Sequence, residues 1–307
     1  MKIVIPGGTG QIGVSLRRHF EAQGHRVVTL SRTGGDVRWD GKSLGDWVSE
    51  IDGADVVINL AGRTVNCRYN EANLRQMMDS RVDSTRVIGE AIAQAQRPPK
   101  VWLQSSTATI YSHSYDAPND EFTGILGGNE PNLQPKWLQS TQVAKEWEAT
   151  LNAAETPKTR RVALRSAMTM SPETGGIFDV LAGLTRRGLG GPIAGGRQYV
   201  SWIHHRDFCR AIDWILAKED LVGPINLASP NPLPQREFQA ILRRNLGVKL
   251  GLPTTRWMAE IGALVMGTET ELIFKSRRVV PGILLQSGFE FSFPDWDDAC
   301  ADLLLDE

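Results

Sequence analysis

The segment PGGTGQIG, Pro6 to Gly13, follows an apolar run at Ile3 to Ile5 and opens a helical pattern of Ile12, Leu16 and Phe20. A strand that turns through glycines directly into a helix predicts a βαβ unit at the start of the chain. The spacing of Gly7, Gly10 and Gly13 suits a tight turn, a close backbone approach to a pyrophosphate, and a helix packed hard against its strand. The helix N-terminus adds free N–H donors and the positive end of a dipole. Thr9, Gln11 and Ile12 lie in the same loop and are expected contacts of a bound nucleotide. A glycine-rich turn without a ligand is the alternative, and the flanking strand and helix weigh against it.

The alternation continues along the chain. Apolar runs at Val27 to Leu30, Val56 to Leu60, Val101 to Leu103, Val162 to Leu164 and Ile225 to Leu227 read as strands buried on both faces. Between them, Ile88, Ala91, Ile92 and Ala95, then Val143, Trp147, Leu151 and Ala154, repeat at helical spacing. The pattern predicts an α/β chain: a doubly wound parallel Rossmann sheet with a second, smaller α+β lobe. After Met170 the sequence becomes rich in turns, while WIHHRDFCRAIDWILAKED, 202–220, reads as a helix returning to the first domain. The expected division is 1–169 plus about 202–229 for the nucleotide domain, and about 170–201 plus 230–307 for the substrate lobe.

Composition narrows the ligand. With 34 basic against 35 acidic residues the formal charge is -1, which leaves no electrostatic footprint for nucleic acid or an anionic membrane and favours a small-molecule substrate. Cys67, Cys209 and Cys300 are odd in number and far apart, as in a protein of a reducing compartment. No leader pattern or bilayer-length apolar segment occurs, so a soluble cytoplasmic protein is expected. Nothing in the sequence sets an oligomeric state.

Two further strand ends carry chemistry. The second strand closes as Leu30-Ser31-Arg32, where a site for NAD would place an acid to receive the ribose hydroxyls. Ser31 and Arg32 suit a 2′-phosphate instead, through a charge-assisted fork of donors, and so favour NADP(H); a solvated surface arginine is the alternative. Asn59-Leu60-Ala61-Gly62 ends the next long strand, where Leu60 and Ala61 offer an apolar strip to a cofactor ribose and ring, and Asn59 is either a contact or a turn former. The run QSSTATIYS, Gln104 to Ser112, sets Ser105, Ser106, Thr107 and Thr109 at the end of a buried strand.

GGTGQIG, LSR, NLAG and SSTATIY in this order resemble the extended branch of the short-chain dehydrogenase/reductase superfamily. The stretches Gly188 to Phe208, Gly223 to Phe238 and Arg277 to Ala299 are similar to an atypical NAD(P)-dependent epimerase-family group with its own C-terminal module. The resemblance covers essentially the whole chain. It implies an NADP(H)-binding protein in which Thr107 holds the reacting oxygen of a substrate and Arg81, in the Ser80-Arg81 step, reaches the cofactor; a helix-surface cation is the other reading of Arg81. Tyr111 is expected to pack.

The superfamily pairs that hydroxyl with Tyr-x-x-x-Lys, whose ammonium eases proton transfer at the phenol. None of the four tyrosines, at 69, 111, 115 and 199, has a lysine four residues later. Thr141 and Lys145 keep the spacing, with a match slipped by one to Ser140 and Ala144 as the alternative, but an aliphatic hydroxyl, of threonine or serine, is too weak an acid to replace a phenol. Lys145 is expected to orient the nicotinamide ribose, with a solvated lysine as the alternative. His113 and Tyr115 are further proton donors to weigh against plain exposed loop residues. Adjacent His204 and His205 are expected to diverge, no metal-ligand spacing occurs, and no G-x-S-x-G elbow is present. Trp202, His204 and Asp207 read as a hinge between lobes, with Arg197 and Gln198 as substrate-pocket candidates. Two functions fit these residues: an NADP(H)-dependent oxidoreductase or epimerase-like enzyme on a small hydroxyl or carbonyl compound, or a non-catalytic NADP(H)-binding sensor.

Overall fold

In the computed structural model, which describes residues 1–131 and 133–305, the apolar runs assemble into one parallel sheet. The first part of the chain runs β1 (Lys2–Pro6), α1 (Gln11–Ala22), β2 (Arg26–Ser31), β3 (Val37–Arg38), α2 (Val48–Ile51), β4 (Val56–Asn59), α3 (Glu71–Gln94), β5 (Val101–Thr107), α4 (Pro135–Ala153) and β6 (Arg160–Ser166). It continues β7 (Met168–Met170), α5 (Ile177–Arg186), β8 (Tyr199–Val200), β9 (Trp202–His204), α6 (His205–Ala217), β10 (Gly223–Leu227), β11 (Leu233–Pro234) and α7 (Gln235–Asn245). Four helices close it: α8 (Arg256–Val265), α9 (Glu271–Phe274), α10 (Gly282–Gln286) and α11 (Trp296–Leu305).

Seven strands lie in the order β10-β6-β5-β4-β1-β2-β3, every neighbouring pair parallel. Strand order reverses between β1 and β4, and ligands of such sheets sit at the carboxyl ends beside that reversal. Alternate side chains serve the two faces: Ile3, Ile5 and Leu103 pack on α1 and α6 through Leu16, Phe20 and Phe208, while Val4 and Trp102 pack on α3 and α4 through Ile88, Ile92 and Leu151. Burying each of these side chains contributes about 1.5–3 kcal/mol, which holds helices on both faces. This is the doubly wound Rossmann architecture that the alternation predicts.

Outside the sheet, β7 pairs with β9 and β8 with β11, over a core of Met170, Phe178, Trp202, Phe238, Leu242 and Trp296. The segment 202–220 departs from expectation. Trp202–His204 is a strand and only His205 onward is helical, because His204 turns its ring back to cap α6, with Nδ1 accepting from the Arg206 N–H at 3.2 Å. Asp207 is wholly buried and accepts from the N–H groups of Ser292 and Phe293 and from Arg210. The His204 and His205 rings do not diverge. They lie 4.7 Å apart, since one residue ends a strand and the next begins a helix. Among the described residues no helix is long and apolar enough to cross a membrane. Asp306 and Glu307, the end of the second lobe drawn from sequence, lie outside the described residues.

A polar cleft at the carboxyl ends of β1, β4 and β5

The three loop glycines do different work. Gly7 has φ 77°, and a Cβ there would stand 2.7 Å from the Ala61 nitrogen, so the turn closes directly on the end of β4. A Cβ on Gly13 would meet the Gly8 Cα and oxygen at 2.5 Å, which fixes α1 against the turn. Gly10 is constrained by neither conformation nor packing: it is extended at φ -76°, ψ 167°, and a Cβ would meet only the Gly7 oxygen, at 3.5 Å. The space over Gly10 is therefore kept open toward solvent at the N-terminus of α1, where no side chain caps the helix and no acid stands in the first turn. An anion fits that place. Thr9 beside it is exposed, Ile12 packs on the core, and Gln11 donates to Ser171 Oγ at 2.6 Å, tying the loop to the chain beyond β7.

At the end of β2, Ser31 Oγ lies 3.0 Å from Thr9 Oγ1, so the serine braces the glycine loop. Arg32 is exposed and lines an open hollow of about 350 Å³ with Thr33, Gly34, Gly35, Asp36 and Arg38. The one carboxylate there, Asp36, is turned inward. It accepts from the Thr29 N–H and hydroxyl at 2.8 Å each and pairs with Arg17 at 3.0 Å. Arg32 and Arg38 have no hydrogen-bond or ion-pair partner among the described residues, which leaves two guanidinium forks facing the hollow. Arg38 is a residue that sequence reading missed, hidden by its place in a two-residue strand.

Leu60 and Ala61 line the cleft as an apolar strip at the end of β4, partly buried against the two cores. Asn59 is enclosed instead. Its amide donates to Gln104 Oε1 and accepts from the Ala61 N–H, both at 3.0 Å, so its side chain shapes the loop from below. Arg81 is not a surface cation. It is buried under Gly62, donates to the Met77 carbonyl at 3.0 Å, lies 4.9 Å over the Trp147 ring, and is pushed down to about 10 by burial.

The hydroxyls of β5 divide between structure and cleft. Ser106 donates to Glu148, which holds Arg165 in a two-pronged ion pair at 2.7–2.8 Å; Arg165 in turn donates to the buried Tyr111 hydroxyl, which packs as expected. β4 ends where Asn59 pairs with Gln104, whereas β5 continues to Thr107 beside β6 alone. That overshoot leaves Thr107 partly exposed beyond the end of β4. Its Oγ1 accepts from the Thr109 N–H at 3.2 Å, so its own hydrogen is left to donate to something else.

Opposite stands α4. Thr141 is 1% exposed, and Lys145, one turn later, is half-buried with its ammonium near Gly128. Sequence reading missed what faces them. From the far end of the chain Lys275 reaches Thr141 Oγ1 at 3.1 Å and the Thr109 carbonyl at 2.8 Å. Arg277 donates to Thr109 Oγ1 at 3.2 Å and pairs with the buried Glu271 at 2.7 Å. No local spacing marks these residues, since 134 positions separate Lys275 from Thr141. His113 is half-buried between Trp137 and Tyr115, its Nδ1 accepting from the Ser276 N–H at 2.8 Å, and burial with nearby Lys275 pushes it below the usual histidine range. At the outer edge Arg197 is exposed and lies 5.6 Å over the Tyr115 ring. Gln198 is buried, and its amide braces the carbonyls of Ile193 and Ile273.

This architecture recurs in known proteins. Residues 3–228 match the model of the NAD dependent epimerase/dehydratase family, and residues 256–303 match a domain of unknown function, DUF1731. The epimerase family protein SDR39U1 of mouse is 30% identical over 99% of this chain and 100% of its own length. The Bacillus subtilis epimerase family protein YfhF is 28% identical over 100% of this chain and 99% of its own. The crystal structure of human epimerase family protein SDR39U1 with NADPH superposes with a TM-score of 0.87 at 27% identity, covering both chains completely. The first model spans most of the chain, the second its C-terminal part, and the similarity to these relatives runs along the full length: the chain belongs to the NAD dependent epimerase/dehydratase family, in the epimerase-family group that carries its own C-terminal module.

Proposed function

We propose that this protein is an NADP(H)-dependent oxidoreductase that interconverts a carbonyl and a hydroxyl on a small substrate held between the sheet and the C-terminal lobe. The reading rests on one observation above all: the opening over Gly10, at an uncapped helix N-terminus, lies on the same sheet edge as a Thr107 hydroxyl whose hydrogen is uncommitted. In this reading Gly7, Gly10 and Gly13 with Thr9, Gln11 and Ile12 form the pyrophosphate cradle. Ser31 shapes the pocket for the adenosine ribose, and Arg32 and Arg38 take its 2′-phosphate. Leu60 and Ala61 lie along the cofactor, while Asn59 and Arg81 support that wall from inside. Bound NADPH supplies a hydride. Thr107 donates a hydrogen bond to the substrate oxygen, an interaction that strengthens as charge gathers there. Lys145 orients the nicotinamide ribose, and Arg197 at the rim receives a polar or anionic part of the substrate.

Calorimetric titration with NADPH and NADH, followed by stopped-flow oxidation of bound NADPH with small carbonyl compounds, tests the reading. Tighter NADPH binding and oxidation by at least one compound are expected. A second reading, a non-catalytic NADP(H)-responsive regulator, is favoured by the burial of Thr141, which cannot carry a proton. Tight binding without oxidation by any compound would select it.

A further inference from the structure

Thr141, which with Lys145 keeps the Tyr-x-x-x-Lys spacing, has a short side chain, and the place beside it is taken. Lys275 fills it from the C-terminal module, 2% exposed, with one N–H on Thr141 Oγ1 and another on the Thr109 carbonyl. A single ammonium thus joins α4 to the turn that follows Thr107. Its third N–H has no protein partner among the described residues.

The charged neighbours do not neutralise it. Glu271, on α9, gives Oε1 to Arg277 and Ser140, and its Oε2 is buried without a partner. Glu130 is turned to the N–H groups of His113 and Gly128. Arg277 adds a like charge, Lys145 on α4 is a second ammonium one turn from Thr141, and His113 beside them is held below the usual histidine range by burial. Burying an ammonium with no carboxylate of its own costs stability that a methionine would not. The lysine is nonetheless held firmly. Its neighbour Ser276 is pinned on three sides, by the His113 ring, the Ser114 carbonyl and the Tyr199 N–H.

We propose that Lys275 is the acid–base group of this site, standing where the missing phenol would reach and exchanging a proton with the substrate oxygen held by Thr107. The proposal rests on the oxidoreductase reading. In the reductive direction the carbonyl carbon gains a hydride, with both its electrons, from the reduced nicotinamide. The C=O π pair moves onto oxygen, and that oxygen takes a proton from the free N–H of Lys275. The products are an alcohol, the oxidised dinucleotide and a neutral amine, which water reprotonates. The same amine accepts the hydroxyl proton in the reverse direction. Burial, then Arg277, pushes Lys275 down to about 8 against the pull of Glu271 and Glu130, close to the working pH that suits such a group.

The experiment is single-turnover oxidation of NADPH bound to the full chain, with 9,10-phenanthrenequinone, diacetyl and benzaldehyde as probes. Lys275→Met should slow the step at least ~100-fold while NADPH affinity stays within about threefold. Lys275→Arg keeps bulk and charge but holds its proton too tightly, so it should lose the rate as well. Thr141→Tyr combined with Lys275→Ala should recover at least ~10-fold over Lys275→Ala alone, since the phenol then enters the vacated place. A readout independent of turnover is NMR of 13Cε-lysine protein with NADP bound: one lysine, missing from Lys275→Met, should titrate near 8. Wild-type rates in Lys275→Met or Lys275→Arg, or no lysine titrating below the ordinary range, would overturn the assignment of Lys275 alone. Wild-type protein that binds NADPH and oxidises it with no probe would bring down the oxidoreductase reading, and this proposal with it.

Discussion

Replacing Gly10 by valine tests the nucleotide cradle with little disturbance to the fold. Its backbone, φ -76° and ψ 167°, is one that valine adopts readily, and an added Cβ meets only the Gly7 oxygen at a comfortable 3.5 Å. The cost to the free protein is the loss of a favourable N-cap, about 1 kcal/mol, or a melting temperature lower by about 2–4 °C. Binding should suffer far more. The two methyl groups cover the N–H donors of the first turn of α1, and each charge-assisted bond lost there is worth about 1.5–3 kcal/mol. Two such bonds amount to about 3–6 kcal/mol, or roughly 10²–10⁴-fold in Kd. Gly13→Ala provides the contrast, because its Cβ would stand 2.5 Å from the Gly8 backbone. Overpacking of that kind costs about 1–3 kcal/mol or more in folding itself. Titration calorimetry with NADPH and thermal denaturation without ligand read the two effects separately. Wild-type NADPH affinity in Gly10→Val, or a larger loss of ligand-free stability there than in Gly13→Ala, would refute the division of labour among these glycines.

Arg32→Ala and Arg38→Ala should each weaken NADPH binding about tenfold, one charge-assisted pair at about 1.5 kcal/mol, and leave NADH binding unchanged; an unaltered preference in both variants would remove the 2′-phosphate from this hollow. Thr107→Ala should slow NADPH oxidation by carbonyl probes about 10²-fold with unchanged NADPH affinity, and a rate equal to wild type would show that its hydroxyl does not meet the reacting oxygen. Lys275 should also leave a mark on stability. Its pKa falls from 10.5 in the unfolded chain to about 8 in the fold, so between those values the unfolded state binds the extra proton and stability rises with pH. Lys275→Met should therefore be more stable than wild type at pH 7, by about 3 kcal/mol at most, with the gap closing between pH 8 and 10.5; a gap independent of pH would mean that the buried lysine has an ordinary proton affinity.

What the sequence made legible follows the reach of each interaction. The glycine turn and the core strands are written in spacings of two to four residues, so Gly7, Gly13 and the alternating faces of β5 could be read directly. Gly10 could be singled out, but only the structure shows that nothing in the protein itself requires it to be glycine. Asn59 and Gln198 looked like ligand contacts because they are polar residues beside expected clefts. Their partners, Gln104 for one and the carbonyls of Ile193 and Ile273 for the other, lie beyond any local pattern. Arg81 was ambiguous for the same reason, since its burial depends on α3 and α4 meeting under Gly62. The helix read across 202–220 failed at its first three residues, where pairing with β7 outweighs helical periodicity and His204 marks the boundary as a cap.

The most consequential omission is a matter of topology. A strand rich in hydroxyls and a helix lacking its tyrosine look like an incomplete site when only the first 170 residues are considered. The C-terminal module changes that reading, because its contacts converge on the gap. Glu269 holds Lys136 at the start of α4 and the N–H of Tyr69 before α3, Glu271 meets Ser140, Lys275 meets Thr141, and Arg277 meets Thr109. Val279 then closes the apolar seam with Ala108, Tyr111 and Ala144 beneath. Contacts that served packing alone would be apolar, since buried charge is costly unless compensated. This interface instead spends four charged side chains, none of them exposed, on α4, on the turn after Thr107 and on the segment before α3. Residues 269–277 thus add polar contacts to α4 and to the turn after Thr107, and the proposed chemistry is to be sought in them together with the glycine turn and Thr107.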